Sequence, residues 1–127
     1  MVGYQQKHEN YIVQSFEKIL EEDVVIPFTL LTTKGELFSV VTSNQFFEDV
    51  NTPVFTLKIL DKKKGLIVLN SLIPIDMEGC PVDLGPDLYS LILTNTCFTM
   101  KINCFSEIVP LPSDLIDKYI PIIESKY

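Results

Sequence analysis

The sequence predicts a mainly β protein: an antiparallel β-sandwich or bent sheet, with an N-terminal helix and a short C-terminal helix. Three observations predict it. Short runs rich in β-branched, aromatic and leucine residues recur between residues 24 and 111, bounded by Gly, Pro, Asn or Asp. The stretch 8–22 carries the period of an amphipathic helix. The runs Val24-Val25-Ile26, Leu66-Ile67-Val68-Leu69 and Leu91-Ile92-Leu93 lack polar alternation. An antiparallel sheet often keeps one face wet, so strands apolar on both faces imply a two-layer core or a surface that meets another subunit.

The elements follow in order. Residues 1–7 read as an arm. In the helix 8–22, Ile12, Phe16, Ile19 and Leu20 form one stripe with Val13 beside it, and Glu17, Glu21 and Glu22 lie on or near the wet side. A strand over 24–31 contains Pro27, which cannot donate to a ladder; the strand is an edge, or Pro27 marks its start. Thr33-Lys34-Gly35 turns the chain into a second strand over 36–42. The polar stretch 43–52 holds Phe46, Phe47 and Val50, which suit a helical turn capping the core. Strands 54–60 and 66–73 flank the turn 61–65 and make the strongest hairpin signal. Pro74, Gly79, Pro81, Gly85 and Pro86 make 74–87 the least regular stretch. A strand over 88–94, a turn at Asn95-Thr96, and strands over 97–105 and 106–111 follow. A short helix over 114–119 then precedes Pro121 and an apolar tail. The whole chain, 1–127, reads as one domain with a β-rich core over 24–111 and a short helix and tail over 112–127.

Composition narrows the chemistry. The chain has 127 residues, is 46% hydrophobic and carries a net charge of -7. That length and apolar content support a folded core rather than a disordered chain. The acidic balance opposes binding to a nucleic-acid backbone, which selects basic patches. The basic run Lys62-Lys63-Lys64 falls at a turn, where a solvated tip is the simplest role. No segment reaches the roughly 18 apolar residues of a membrane span, and the first residues lack the apolar core of a signal peptide, which points to synthesis in the cytosol.

Arginine and tryptophan are absent and histidine occurs once, as His8. Most mechanisms near neutral pH use histidine, or an arginine that clamps an anion. No catalytic, cofactor or metal site is therefore expected. His8 would need a thiol or hydroxyl partner to activate a nucleophile, and its place at the helix start suits a cap or surface role. Asp76, Glu78, Asp83 and Asp87 cluster in the irregular stretch, but their spacing fits no compact calcium loop. The three cysteines are too few and too scattered for a zinc motif. Cys104 falls on the apolar face of its strand and reads as a small core residue. Cys80, between Gly79 and Pro81, reads as exposed, and Cys97 begins its strand on the opposite face; both are either free thiols or intermolecular disulfides.

Several pieces of the chain resemble the spore-coat Y/Z family. These are His8-Glu9-Asn10 followed by Phe16-Glu17-Lys18-Ile19-Leu20; Ile26-Pro27-Phe28; Lys34-Gly35-Glu36-Leu37-Phe38-Ser39; Pro53-Val54-Phe55; Leu72-Ile73-Pro74-Ile75-Asp76; and Pro112-Ser113-Asp114-Leu115-Ile116-Asp117. They fall in the family's order over most of residues 8–117. The resemblance implies a structural role: members form the crust or exosporium of bacterial endospores and self-assemble into lattices reinforced by disulfides. Typical members are cysteine-rich, and this chain departs from them by keeping three. The expectation is a non-enzymatic protein made in the mother-cell cytoplasm and placed on the spore surface, with itself and other spore-coat proteins as partners. Ile26, Pro27 and Phe28 are the candidate contacts, together with the N-terminal helix; Cys80 and Cys97 are the candidate cross-links. The alternative expectation is a soluble acidic β-domain serving as a protein-binding adaptor. An enzyme using the carboxylates of 76–87 ranks last.

Overall fold

A computed structural model describes the backbone of residues 2–118 and the side chains of residues 11–118. Helix α1 spans Val2–Glu21. It starts well before residue 8, so the expected arm belongs to the helix from Val2 onward. No proline interrupts that opening, and Gln5, Gln6 and Lys7 are good helix formers. Ile12 and Phe16, one turn apart, are wholly buried, with Val13 and Ile19 packed beside them. Leu20, expected on the same stripe, is half exposed.

Seven strands follow: β1 Phe28–Thr32, β2 Val40–Thr42, β3 Val50–Thr52, β4 Val54–Asp61, β5 Leu66–Ile75, β6 Ser90–Lys101 and β7 Phe105–Pro110. Five form one antiparallel sheet in the order β6-β5-β4-β1-β7, and β2 pairs with β3 separately. The hairpin expected around residues 61–65 is present as β4–β5. The Asp61 carboxylate accepts the Lys64 N–H at 3.1 Å, and Gly65 takes φ +65°, a conformation glycine adopts without steric cost.

The first strand differs from expectation. It begins at Phe28, not Val24, and lies between β4 and β7 rather than at an edge. Pro27 marks its start; lacking an N–H, it offers only its carbonyl, which accepts from Leu111 at 2.8 Å. The turn at 33–35 forms, with Gly35 at φ +82°. The strand expected over 36–42 keeps only a Leu31–Leu37 bridge before leaving to form β2. No helical turn forms over 43–49. The Asn44 side chain instead accepts from the N–H groups of Phe46 and Phe47, both at 2.8 Å, in an Asx turn. Phe46 is left 69% exposed and caps nothing.

Asn95-Thr96 is not a turn, because β6 runs unbroken through it. The register passes from Asn70↔Cys97 to Leu72↔Leu93, so two steps of β5 face four of β6. The local turn signal is realised as a bulge, with the Thr96 N–H bonded to the Thr94 hydroxyl at 3.2 Å. The strand ends at Lys101, and Ile102–Cys104 forms a 3₁₀ turn rather than more strand. That turn bends the sheet. β6 and β7 stand at opposite ends of the strand order. A flat sheet would separate them by about 19 Å, whereas a three-residue 3₁₀ turn rises about 6 Å. The sheet must curl to bring them together.

The core has two parts, one on each face. On one face Ile12 and Phe16 of α1 pack on Phe28, Leu30, Phe55, Ile67, Leu69 and Phe105. Phe16 meets Phe28 edge-on at 6.0 Å, and Phe38 stacks on Phe55 at 5.4 Å. On the other face Val54, Leu72 and Leu91 are covered by Leu84 and Leu88 of the loop after β5 and by Leu111, Leu115 and Ile116. Two of the doubly apolar runs, 66–69 and 91–93, thus find most of their cover within the chain. The helix expected over 114–119 is absent from the described residues. Ser113–Leu115 makes one 3₁₀ turn, after which Ile116 bridges Leu91 in parallel. Asp117, at φ +50°, is incompatible with continuing a right-handed helix. Pro121 and the tail lie outside the described residues.

Candidate functional site

The expected residues do not converge on a catalytic centre. The backbone of His8 lies in α1, and its side chain is outside the described part. Asp76 is occupied structurally: its carboxylate accepts the N–H groups of Glu78 and Cys80, each at 2.9 Å. Gly79 completes this turn at φ +84°, donating to the Asp76 carbonyl at 3.1 Å. Among the described residues, no three His, Cys, Asp or Glu side chains are grouped to hold a metal ion. No described helix is long and apolar enough to cross a membrane.

The cysteines separate by exposure. All three are free; Cys80 and Cys97 are exposed, and Cys104 is half-buried against the first core cluster. Cys80 sits in the turn that Asp76 holds. Cys97 lies on β6, its Sγ 3.7 Å from Lys58 Nζ and 3.5 Å from Asn70 Oδ1. The three candidate contact residues are placed unequally. Phe28 is wholly buried, Pro27 is buried, and only Ile26 reaches the surface in part.

The surface beside Ile26 was not legible as such in the sequence. Glu22, Asp23 and Val24 form a bend after α1, which leaves Val24 55% and Val25 59% exposed. Two adjoining hollows meet there. One, of about 210 Å³, is lined by Leu20, Val24, Val25, Ile26 and Leu57. The other, of about 350 Å³, runs from Val25 and Leu57 past Thr56, Lys58, Asn70, Thr94 and Asn95 to Leu93 and Cys97. Sharing Val25 and Leu57, they form one strip from the end of α1 across β4 to an exposed thiol on β6, apolar at Leu20, Val24 and Val25 and mixed with polar side chains towards Leu93. The sequence signal that could have found it is Pro27. A strand that starts after the proline strands the β-branched run 24–26 outside the sheet.

The edge next to the strip is partly open. Residues 115–118 seal its first stretch: Asp117 N–H donates to the Leu91 carbonyl at 2.8 Å, and Lys118 N–H to the Ser90 hydroxyl at 2.8 Å. Beyond Thr94, the outer edge of β6 has no strand beside it among the described residues, and it is uncharged until Lys101. Natural edges are usually blunted by charge, proline, a bulge or cover; here the bulge at Thr94–Thr96 blunts the start of the stretch and leaves 97–100 open. Searches of family models, curated proteins and solved structures found no match to this chain.

Proposed function

We propose that this chain is a non-enzymatic structural protein that assembles with copies of itself, as in the outer layer, coat crust or exosporium, of a bacterial endospore. One observation carries the assembly reading: the strip that exposes Leu20, Val24, Val25 and Leu93 runs into the open edge of β6 at Cys97. Monomeric proteins rarely leave joined apolar patches and open, uncharged edges together. The ordered sequence resemblance over residues 8–117 supports the spore surface as the place and other coat proteins as further partners. Cys97 borders the contact and Cys80 sits away from it, so each is available for a cross-link between copies that reinforces assembly without creating it.

Negative-stain microscopy of the purified protein, with and without reductant, tests this. Extended assemblies are expected in both conditions, more robust without reductant. Strictly dispersed monomers at high concentration would overturn it. A monomer that instead bound one partner protein stoichiometrically would favour the adaptor reading.

A further inference from the structure

Strands β4, β5 and β6 carry opposite charge at their two ends. At one end stand Lys62, Lys63 and Lys64 in the β4–β5 turn, joined by Lys101, the register partner of Leu66. These are four of the ten basic residues in a chain of net charge -7. Lys62 is paired with Glu17 at 3.0 Å, and the Asp61 carboxylate is engaged by the Lys64 N–H. Lys64 and Lys101 make no ion pair among the described residues. Both line a cleft of about 490 Å³ against α1, which Asn103 and Val13 complete.

At the other end, residues 76–89 hold Asp76, Glu78, Asp83 and Asp87 and no basic residue. Glu78, Asp83 and Asp87 are exposed, while Leu84 and Leu88 of the same loop are anchored in the second core cluster. The loop is therefore a fixed acidic projection. Lys118 comes near this end, its ammonium 4.6 Å from the centre of the Tyr89 ring, and leaves the local excess negative. β5 separates the two ends by ten residues, about 33 Å.

We propose that copies of this chain associate head to tail, the 76–89 loop of one seated at the Lys64–Lys101 cleft of the next. The proposal rests on the self-assembly reading above and names the surfaces one contact uses. Charge complementarity selects the occupant. The cleft is cationic and the loop is anionic and exposed, a local match that works against the net repulsion between copies of charge -7. Because the two surfaces are different patches, the contact is heterologous and leaves a free cleft and a free loop at every stage, so it propagates as a row. The apolar strip, on a different part of the surface, would join rows laterally.

A charge swap tests it. K64E/K101E and D83K/D87K alter exposed side chains and spare Lys62 and Asp76, which have structural partners. Circular dichroism and thermal midpoints check that both variants fold as the wild type does. In sedimentation velocity at low ionic strength, each variant alone is expected to associate at least about tenfold more weakly than wild type. An equimolar mixture is expected to recover association in part, because the carboxylates introduced at 64 and 101 then face the ammonium groups introduced at 83 and 87. If wild type assembles and K64E/K101E assembles equally, or if the mixture fails to recover, the head-to-tail contact is wrong while self-assembly stands. A monomeric wild type would remove both.

Discussion

Ser71 shows how single side chains hold this fold together. Its hydroxyl lies 2.9 Å from that of Thr42 and 2.7 Å from that of Thr94, and all three are buried. Thr94 donates to the Ser71 carbonyl at 3.0 Å, which leaves its oxygen free to accept from Ser71, and Ser71 in turn accepts from Thr42. The chain of donors is complete and ties the β2–β3 pair to the main sheet at the β6 bulge. Replacing Ser71 with Ala orphans the Thr42 hydroxyl and should lower stability by about 1–3 kcal/mol. Urea unfolding would show this as an earlier midpoint at unchanged slope. Thiol titration offers a second check at this scale: Cys80 and Cys97 should react quickly and Cys104 slowly, and a C80S/C97S protein should retain only the slow phase. The exposure of Cys80 and the core-facing side of Cys104 were readable from local sequence. The role of Ser71 was not, because nothing in the run 66–75 marks one small polar residue as a hub until the bulge brings Thr94 to it.

Elements were legible where one local signal dominated. The β4–β5 hairpin follows from Asp61 and Gly65, and the stripe of α1 from the spacing of Ile12, Phe16 and Ile19. Phe16→Ala should therefore cost about 3–5 kcal/mol, the penalty of emptying an aromatic core site. Tyr11→Ala, at a position 56% exposed, should stay within about 0.5 kcal/mol. Paired denaturation curves would reveal the contrast, and equal losses would contradict the packing described. Elements were misread where the partner lay far away in sequence. Asn95-Thr96 has turn chemistry, but pairing with β5 keeps the strand whole. Pro27 left an edge or a strand start open; β7, some eighty residues later, closes over the outer side of β1, so the proline marks the start. The 3₁₀ turn at residue 113 replaces a helix because Ile116 reaches Leu91 and fills the second core cluster.

At the scale of the molecule, strands apolar on both faces had two readings, internal cover or an intermolecular surface. The fold divides them. α1 and the β2–β3 pair cover one face, and the 76–89 loop and residues 111–116 cover most of the other. Of the three doubly apolar runs, what remains exposed is Val24-Val25 and Leu93, and this remainder lies in the strip on which the proposed assembly depends. The double variant V24K/V25K places ammonium groups on that strip, beside Glu22 and Asp23, without touching the core. Its unfolding free energy should change by no more than about 0.5 kcal/mol. High salt screens contacts between charges and leaves apolar burial intact or strengthened. Sedimentation velocity of wild type and V24K/V25K, in high salt with reductant, therefore isolates the strip from both the lysine end and the thiols. Wild type should sediment as concentration-dependent assemblies, and V24K/V25K as a monomer of 14.5 kDa. A wild-type monomer under these conditions, or a variant that assembles as well as wild type, would contradict the account.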